Sequence, residues 1–456
     1  MKTIDAARSR PVLEGVFGEY ATMKRLPSCA WGLVDHGDLV CAEAPDVVYR
    51  IASMTKSFTC AAVLGLRDEG VVRLDDPIAD HAPEFAHLGG PTRDSPPITI
   101  RHLMTMGAGF ATDDPWADRH LDVADDELDG WLAAGATFAV VPDTAFEYSN
   151  LGFGILGRVV ERACGRRLQD VVRERLLEPL GMTATTWEAP DAAVAGFRVD
   201  GGDEPLLGDG AIAPMGGLFT TVADLARWIG FMTDAWPPRD DPEVGPLSRA
   251  SRREMQRVQR GFPPRTVQAR DGRTRTITGG YGFGLNVLHH ETLGLVVSHS
   301  GGLPGFGSNM RWVPNTGIGL IALANQTYAE MAEATAAALD ALVAHELVGP
   351  APVPVPPALD TAGRALVALH DTWEDEAARA LFADNVELDD PYAHRAARAR
   401  TLTDNRGSFR FARIEADHAA AATAVAHGDG CELRIEFQLH PLVPARVQWY
   451  EATLID

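Results

Sequence analysis

A continuous apolar stretch near the start of the chain sets the strongest constraint on its fold. The segment RIASMTKSFTCAAVLGLRDEG, residues 50–70, predicts a helix that ends near Gly70. Its apolar positions lie on every side of that helix: Phe58, Ala61, Ala62, Leu64 and Leu66. A helix that is apolar all round is stable when other elements cover all its sides. The sequence therefore predicts a large domain with this helix near its centre.

Ser53 and Lys56 stand three residues apart where this helix begins. Three residues rise about 4.5 Å and make nearly one turn, so both side chains point the same way. Ser53 can act as an N-cap, with Lys56 as a solvated charge. A buried amine, however, loses part of its preference for the charged form and can act as a base toward a neighbouring hydroxyl. From these residues alone, both interpretations stay open.

The composition indicates a globular protein. The 456 residues are 46% hydrophobic and leave room for two or three domains. A formal net charge of -22 argues against nonspecific binding to nucleic acid or to an anionic membrane. No run of 18 apolar residues is present, and the first 17 residues lack the apolar core of a secretory signal. We therefore expect a cytoplasmic protein without nucleic-acid or membrane partners.

The cysteines give no sign of a disulfide or zinc framework. They are five in number and widely scattered, without CxxC spacing: Cys29, Cys41, Cys60, Cys164 and Cys431. We expect reduced thiols, and for Cys60 a packing role in the apolar helix.

One segment opposes the acidic balance of the chain. Residues 249–275 contain nine arginines and only two acids, Glu254 and Asp271. Charge runs usually face solvent, which favours a solvated helix followed by a hairpin. The alternative is a basic surface for an anionic group or an acidic partner protein.

A proline-rich stretch divides the chain. Five prolines fall within the eight residues 350–357, a composition typical of a stiff, extended spacer. Apolar residues then recur at helical spacing, at Leu366, Leu369, Trp373 and Ala377. The later stretches FRFARIE, LRIEFQL and VQWYE alternate apolar with polar residues, as strands do. We predict a large domain over residues 1–348, a linker over 349–358, and a small domain of helix and antiparallel sheet over 359–456.

Short apolar runs stand at both ends of the large region. CAWGLVDHGDLVCAE begins at Cys29, GLVVSH at Gly294 and GIGLIALAN at Gly317. We expect them to be strands of one sheet, with the helix-rich middle of the region packed over it. This α/β arrangement leaves a cleft between the sheet and the helical lobe, where a ligand site is expected.

Two further motifs carry polar groups. Tyr148-Ser149-Asn150 stands in a loop before a predicted helix, and His299-Ser300-Gly301-Gly302 stands at the end of a predicted strand. Each is weak by itself. A Tyr-x-Asn tripeptide is common by chance, and a histidine at a strand end is usually a polar residue with ordinary partners.

Taken in order, the three motifs resemble those of the serine β-lactamase and penicillin-binding-protein superfamily: S-x-x-K, then Y-x-N, then K-T-G or H-x-G. Several longer stretches resemble recurrent phrases of the same family: VVRLDDPIADHAPEF, ITIRHLMTMGAGF, FEYSNLGFGILG, LLEPLGMTATTW, GGLFTTVADLARW and YGFGLNV. Together they cover most of residues 1–348. The resemblance favours the nucleophile over the cap for Ser53 and implies an antiparallel sheet flanked by helices, with a helical lobe.

The resemblance also implies a role for each motif residue. Ser53 would attack a carbonyl carbon, and a desolvated Lys56 would accept its proton. Tyr148 would relay a proton to the leaving group, and we expect a cationic Lys56 to favour its phenolate form. Asn150 would orient Lys56 and a substrate amide. The backbone N–H groups of Ser53 and Gly302 would form the oxyanion hole.

The remaining residues of the third motif complete the implied site. Ser300 and Gly301 would line the substrate cleft beside His299, which we count among the catalytic residues. No metal or organic cofactor is required by this chemistry.

His299 departs from the β-lactamase pattern, in which a lysine helps to hold a substrate carboxylate. A histidine is mostly neutral near pH 7, so it disfavours a carboxylate-bearing substrate. The departure resembles esterases, D-amino-acid peptidases and amidases, and penicillin-binding-protein-type thioesterases. The thioesterases also share the plan of a catalytic domain followed by a small lipocalin-like domain, although such fold-level analogy does not fix the substrate.

The leading hypothesis is a stand-alone thioesterase that closes a nonribosomal peptide head to tail. It would take the peptide, with a D-residue at its acylating end, from a thioester on a peptidyl carrier protein. The alternative is a D-aminopeptidase, amidase or carboxylesterase acting on a small ester or amide. A β-lactamase or DD-peptidase ranks below both.

Two rival classes have weaker support. A metal hydrolase is suggested by His290-Glu291 and His345-Glu346, but neither pair continues into H-E-x-x-H. An acidic cluster lacks the spacing of a calcium loop and is expected to be a solvated face or loop: Asp113, Asp114, Asp125, Asp126 and Asp129. A noncatalytic sensor on the same fold would not need Ser53, Lys56 and Tyr148 together.

Overall fold

The computed structural model describes residues 4–268, 274–404 and 406–455. The chain forms two compact units, Met1–Pro350 and Ala351–Asp456. Between α-helices and strands, the first unit contains short 3-10 turns, among them Ala52–Met54.

The strands of the first unit are β1 (Cys29–Asp35), β2 (Asp38–Glu43), β3 (Tyr49–Arg50), β4 (Gly196–Phe197), β5 (Asp203–Glu204), β6 (Phe219–Thr220), β7 (Arg260–Gly261), β8 (Arg265–Gln268), β9 (Thr274–Ile277), β10 (Gly279–Tyr281), β11 (Asn286–His290), β12 (Gly294–Leu303), β13 (Phe306–Val313) and β14 (Ile318–Ala324). Its helices are α1 (Ala6–Lys24), α2 (Thr55–Asp68), α3 (Ile78–His81), α4 (Ile100–Met104), α5 (Asp114–Ala117), α6 (Asp125–Ala133), α7 (Asn150–Cys164), α8 (Leu168–Val172), α9 (Val222–Thr233), α10 (Arg249–Met255) and α11 (Met331–Ala344).

Eight strands form one antiparallel sheet in the order β2-β1-β14-β13-β12-β11-β10-β7. The first and last strands of the unit, β1 and β14, are neighbours in this order, and Cys29 pairs with Ala324 and Asp35 with Ile318. The prediction that both ends of the region share a sheet is confirmed, as is the helix-rich block between them. The α/β fold class is therefore confirmed.

Both faces of the sheet are covered, so alternate residues of one strand enter different cores. Trp31 and Leu33 of β1 pack with residues of α1 and α11 on one face. Ala30 and Val34 of the same strand join the larger core on the other face, which includes α2 and α9. This alternation follows from the two-residue period of a strand. It explains why β1 and β14 have almost no polar side chains.

Helix α2 is the buried helix predicted from residues 50–70. Phe58 is fully buried and stacks on Trp228 of α9, with ring centroids 4.1 Å apart. The 3-10 turn Ala52–Met54 leads directly into α2, whose N-cap residue is Met54, and the helix start has no side-chain cap hydrogen bond. The N-cap interpretation of Ser53 is therefore wrong. The Ser53 hydroxyl stays available for other contacts.

The turn before α2 holds an unusual backbone conformation. Ala52 has a φ of 49°, in the left-handed region, which costs about 1–2 kcal/mol for a residue with a Cβ. Such residues persist where the surroundings hold them, and they are concentrated at functional sites. The conformation directs the chain from β3 into α2 with Ser53 at the bend.

The second unit contains helices α12 (Pro357–Asp371), α13 (Asp375–Leu381), α14 (Asp384–Asp389) and α15 (Tyr392–Thr403), and strands β15 (Arg410–His418), β16 (Ala421–His427), β17 (Glu432–Leu439) and β18 (Val447–Ile455). The strands form an antiparallel sheet in sequence order, and α12 packs on its first three strands. The core includes Leu359, Leu366, Phe382 and Ile435.

The sheet of the second unit is the small sheet domain predicted from the sequence. The predicted strands correspond to β15, β17 and β18, whereas β16 was not predicted. The four strands are neighbours in sequence order, as the strands of an up-and-down barrel are. A lipocalin barrel has eight strands, which is twice the number in this sheet. Within the described ranges, no helix is long and apolar enough to cross a membrane.

Candidate active site

Three segments meet at the start of α2, and a lysine lies at their centre. Lys56 has no exposed surface. Its ammonium donates three hydrogen bonds, to Ser53 Oγ at 2.9 Å, to Asn150 Oδ1 at 2.7 Å and to the carbonyl oxygen of Met215 at 2.8 Å. Its Nζ atom also lies 4.9 Å from the centre of the Tyr148 ring. The structure thus brings together the predicted residues of the first two motifs.

The surroundings of Lys56 make it a possible base. Burial lowers the pKa of Lys56 to about 8, even though the carboxylates of Asp114, Asp118 and Asp113 oppose the shift. An ammonium has three donors, and all three are used here. A neutral amine can keep the bonds to Asn150 and Met215 and accept the Ser53 hydroxyl proton with its lone pair. The same heavy-atom geometry therefore serves both protonation states.

Tyr148 is a phenol rather than a phenolate in this site. Burial raises the pKa of Tyr148, and the nearby Ser53 side chain opposes this with a smaller effect. Burial and the negative charge of Asp114 have the larger effect and hold the pKa of Tyr148 well above its ordinary value. The phenolate expected from the sequence is therefore wrong, because that expectation considered Lys56 and omitted burial of the phenol and the neighbouring carboxylates.

The first turn of α7 is held by two aspartates. Asp113 accepts the backbone N–H groups of Asn150 and Leu151, each at 2.7 Å, and Asp114 Oδ1 accepts Asn150 Nδ2 at 2.7 Å. Ser149 caps the helix by accepting Gly152 N at 3.0 Å. The prediction of a solvated face or loop is therefore only partly right: Asp113 lies in a loop before α5, but both acids are half-buried and bonded to α7.

The other three acids of that cluster lie on α6. Asp125 and Asp129 pair with Arg158, and Asp126 is exposed. The expectation of a solvent-facing segment fits these three residues. The cluster is thus split between the site and the surface of the helical lobe.

His299 of the third motif is buried and neutral. Its Nδ1 atom donates to the carbonyl oxygen of Ser300 at 2.6 Å, and its Nε2 atom accepts from the Tyr281 hydroxyl at 2.8 Å. Burial, and then the charge of Lys56, lower the pKa of His299 to about 3. The predicted neutral state is confirmed. Both ring nitrogens already have hydrogen-bond partners. These contacts do not test a direct catalytic role for His299, which stays a prediction.

Gly301 of this motif allows β12 to approach the turn that carries Ser53. A Cβ atom on Gly301 would lie 2.1 Å from the carbonyl oxygen of Ile51, so a side chain there would force the strand away. Gly302 is the next residue along β12, and its surroundings include the ring of Tyr328. Ser300 is exposed on the strand and accepts from Asn309 Nδ2 at 3.0 Å.

Four residues of the site were missed by the sequence analysis. Asp114, Met215, Tyr281 and Tyr328 each contact a predicted residue or its partner. Tyr281 begins the stretch YGFGLNV, so a signal for it was present. Met215 acts through its backbone carbonyl, which no residue type reveals.

The arginine-rich segment is not a uniformly solvated helix. Arg249 and Arg252 of α10 are buried, and both pair with Asp234. Arg260 pairs with Asp143. Within the segment, Arg270, Asp271 and Arg273 lie outside the described residues. Among the residues that are described, no group of three or more His, Cys, Asp or Glu side chains could hold a metal ion.

Comparison with known proteins agrees with this geometry. Residues 13–345 match the protein family described as Beta-lactamase. The chain is 31% identical over 188 residues to D-alanyl-D-alanine-carboxypeptidase/endopeptidase AmpH of Escherichia coli (strain K12), a match that covers 40% of this chain and 48%, about half, of that relative. It is 28% identical over 317 residues to Esterase EstB of Burkholderia gladioli, covering 62% of this chain and 80% of EstB.

A solved structure shows the same fold. The octameric penicillin-binding protein homologue from Pyrococcus abyssi matches with a TM-score of 0.61 and 20% identity, over 97% of this chain and 96% of its own. The family match spans most of the chain and includes all three motifs. The chain therefore belongs to the β-lactamase family of serine hydrolases.

Proposed function

We propose that the protein forms an acyl-enzyme on Ser53 with esters or amides that carry no free carboxylate near the reacting carbonyl. The observation that carries this proposal is the buried contact of 2.9 Å between Lys56 Nζ and Ser53 Oγ. Among serine hydrolases, a nucleophile within hydrogen-bond reach of a base is the arrangement that activates a hydroxyl.

Acylation would begin with neutral Lys56. As Ser53 Oγ forms a bond to the carbonyl carbon, its proton moves to Lys56 Nζ, and the carbonyl oxygen becomes an oxyanion. The N–H groups of Ser53 and Gly302 would stabilise that oxyanion. The carbon–leaving-group bond then breaks, and the leaving group takes a proton from the Tyr148 hydroxyl. In the same step Tyr148 takes a proton from the Lys56 ammonium, so Tyr148 does not become a phenolate and the base is neutral again.

Deacylation would reverse these steps. An incoming water or amine attacks the acyl carbon and gives its proton to neutral Lys56, either directly or through Tyr148, which passes its own hydroxyl proton to Lys56 in the same step. Ser53 Oγ then leaves with a proton returned by Lys56. Asn150 would keep Lys56 within reach of Ser53 in both halves of the cycle. No step needs a charged Tyr148.

The neutral His299 supports the substrate class. A ring that titrates far below neutral pH gives no fixed positive charge to a substrate carboxylate. Esterase EstB, matched over 80% of its length, is named for ester cleavage. AmpH is named for D-alanyl-D-alanine, in which the acyl residue is a D-amino acid. This supports D-aminoacyl esters and amides as a second group of substrates, whereas the terminal carboxylate of such a peptide is what the neutral His299 disfavours.

A peptide cyclase is the second candidate, as predicted from the sequence. It would use the same acyl-enzyme, intercepted by the amine of the bound peptide instead of by water, with a peptidyl carrier protein as acyl donor. Its support is the H-x-G third motif, which begins at His299, together with a small second unit after the catalytic one, a plan that thioesterases of this superfamily share.

A substrate panel separates the two candidates. Simple p-nitrophenyl esters, D- and L-aminoacyl p-nitroanilides, and matched peptidyl thioesters ending in a D- or L-residue would be incubated with the protein, and products would be separated by mass. Cleavage of esters or D-aminoacyl amides with only linear acid from thioesters supports the hydrolase. Cyclic product from D-ended thioesters supports the cyclase. No turnover of any donor would contradict both.

A further inference from the structure

The Asn150 amide has a carboxylate behind it. Asn150 Oδ1 accepts Lys56 Nζ at 2.7 Å, and Asn150 Nδ2 donates to Asp114 Oδ1, also at 2.7 Å. Asn150 has no exposed surface. The side chains therefore form one line of hydrogen bonds from Asp114 through Asn150 to Lys56 and on to Ser53.

Asp114 decides which end of the Asn150 amide meets Lys56. An amide presents an acceptor at one end and donors at the other, and it can rotate to exchange them. An ionised carboxylate only accepts hydrogen bonds, so Asp114 selects the NH2 end. The amide oxygen must then face Lys56, which needs an acceptor in its charged form. The reverse orientation would place oxygen against carboxylate and NH2 against ammonium.

The neighbouring acids have different partners. Asp113 uses both oxygens on backbone N–H groups of α7. Asp118 accepts the Tyr328 hydroxyl at 2.9 Å. Asp114 alone among these three has a hydrogen bond to the Asn150 side chain. A backbone or helix-capping role accounts for Asp113 but does not account for Asp114.

The charge of Asp114 also acts on Lys56. Among the carboxylates that raise the pKa of Lys56 against burial, Asp114 has the largest effect, followed by Asp118 and Asp113. Three other titratable groups face Lys56: Cys60 on α2, Tyr148 before α7, and His299 on β12. Cys60 raises the pKa of Lys56, and the charge of Lys56 lowers the pKa of His299. The ring of Tyr148 lies beside Lys56 Nζ. Removing the Asp114 charge should therefore allow Lys56 to lose its proton at lower pH.

We propose that Asp114 is a positioning residue for acyl transfer, which fixes the orientation of the Asn150 amide and through it the placement of Lys56 beside Ser53. This inference rests on the proposed acyl-enzyme chemistry. It assigns a role in catalysis to an acid that touches neither substrate nor nucleophile.

The test compares Asp114→Asn with Asp126→Asn, which removes the same charge from an exposed site on α6. The readout is kcat/KM for p-nitrophenyl acetate against pH, with thermal unfolding as the check on folding. Asp114→Asn should lower the plateau by about 10- to 100-fold, as loss of an orienting partner typically does. It should also shift the rising limb of the kcat/KM profile to lower pH, because Lys56 loses a neighbouring negative charge. Asp126→Asn should match the wild type.

A second pair of variants tests the route through Asn150. When Asn150→Ala is already present, adding Asp114→Asn should lower kcat/KM little further, because the two residues act as one unit. A full, independent loss in that background would overturn the inference, as would an Asp114→Asn profile equal to that of Asp126→Asn. If Asp114→Asn fails to fold, Asp114→Ser supplies a neutral acceptor, and the same shift of the limb is expected. An unshifted limb in that variant would overturn the inference.

The proposed function is checked separately in the wild type. If p-nitrophenyl acetate does not acylate Ser53, the acyl-enzyme chemistry itself fails. If acylation depends on Ser53 but Asp114→Asn behaves as wild type, only the role of Asp114 fails.

Discussion

The hydroxyl of Tyr328 donates a hydrogen bond of 2.9 Å to Asp118 Oδ2, which joins the loop after β14 to the end of α5. A Cβ atom on Gly302 would lie 2.9 Å from Cδ1 of Tyr328, so the ring stands against the strand of the third motif. Tyr328 has a φ of 54°, and its backbone N–H donates to the carbonyl oxygen of Phe306 at 3.1 Å. Tyr328 is 44% exposed, so part of its surface is open to a ligand.

Tyr328 should therefore limit the size of the acyl group next to Gly302. We expect Tyr328→Ala to raise kcat/KM for p-nitrophenyl octanoate relative to p-nitrophenyl acetate severalfold. Tyr328→Phe keeps the ring and is the matched control, with a ratio close to that of the wild type. An unchanged ratio in Tyr328→Ala would show that the ring does not border the acyl group.

The rate of acylation should rise with pH. Lys56 accepts a proton only when neutral, and burial lowers its pKa to about 8. The base is therefore mostly protonated at pH 6 and mostly neutral above pH 9, so kcat/KM should increase through a midpoint near 8. Single-turnover acylation by p-nitrophenyl acetate measures this profile directly. A profile that falls over the same range would contradict the assignment of Lys56 as base.

Tyr148 should contribute no phenolate to the working enzyme. Its pKa is held well above the ordinary value by burial and Asp114, so the profile should show no additional rising limb from this group below pH 10. Tyr148→Phe should lower turnover by about 100-fold or more, since it removes the proton relay. Ultraviolet difference spectra of wild type and Tyr148→Phe would reveal a phenolate. Its detection at pH 8 would overturn the neutral assignment.

His299 should make the choice between neutral and anionic substrates insensitive to pH. Its pKa of about 3 keeps the ring neutral from pH 5 upward. The ratio of kcat/KM for a neutral ester to that for its carboxylate analogue should stay constant between pH 5 and 8, provided the analogue is ionised throughout. His299→Lys introduces a cation and should shift the ratio toward the carboxylate. If the ratio in His299→Lys equals that of the wild type, His299 does not select substrates by charge, and its role is to support Tyr281.

Much of the fold follows from residue patterns. The apolar residues of α2 require burial on all sides, and the apolar runs at both ends of the first unit become β1, β12 and β14. Strand β16 was missed because its sequence, AATAVAH, consists mainly of alanine, which has low strand propensity. Pairing with β15 and β17 and contact with α12 override that propensity.

The candidate site was only partly predictable for a related reason. The spacing of Ser53 and Lys56 and the two later motifs identify the side chains with chemical function. Their protonation states depend on groups distant in sequence. Asp114 looks like a solvent-facing acid when only its neighbours in the chain are considered, and its contact with Asn150 spans 36 residues. Tertiary structure therefore determines the neutral state of Tyr148 and the placement of Lys56.

Acylation of Ser53 is the most direct test of the whole account. The protein would be mixed with p-nitrophenyl acetate, quenched in acid within one turnover, digested and analysed by mass spectrometry, beside Ser53→Ala. We predict one acetyl group on the peptide that contains Ser53, no adduct there in Ser53→Ala, and a loss of turnover by several orders of magnitude in that variant. An adduct on another residue, or full turnover by Ser53→Ala, would contradict the account.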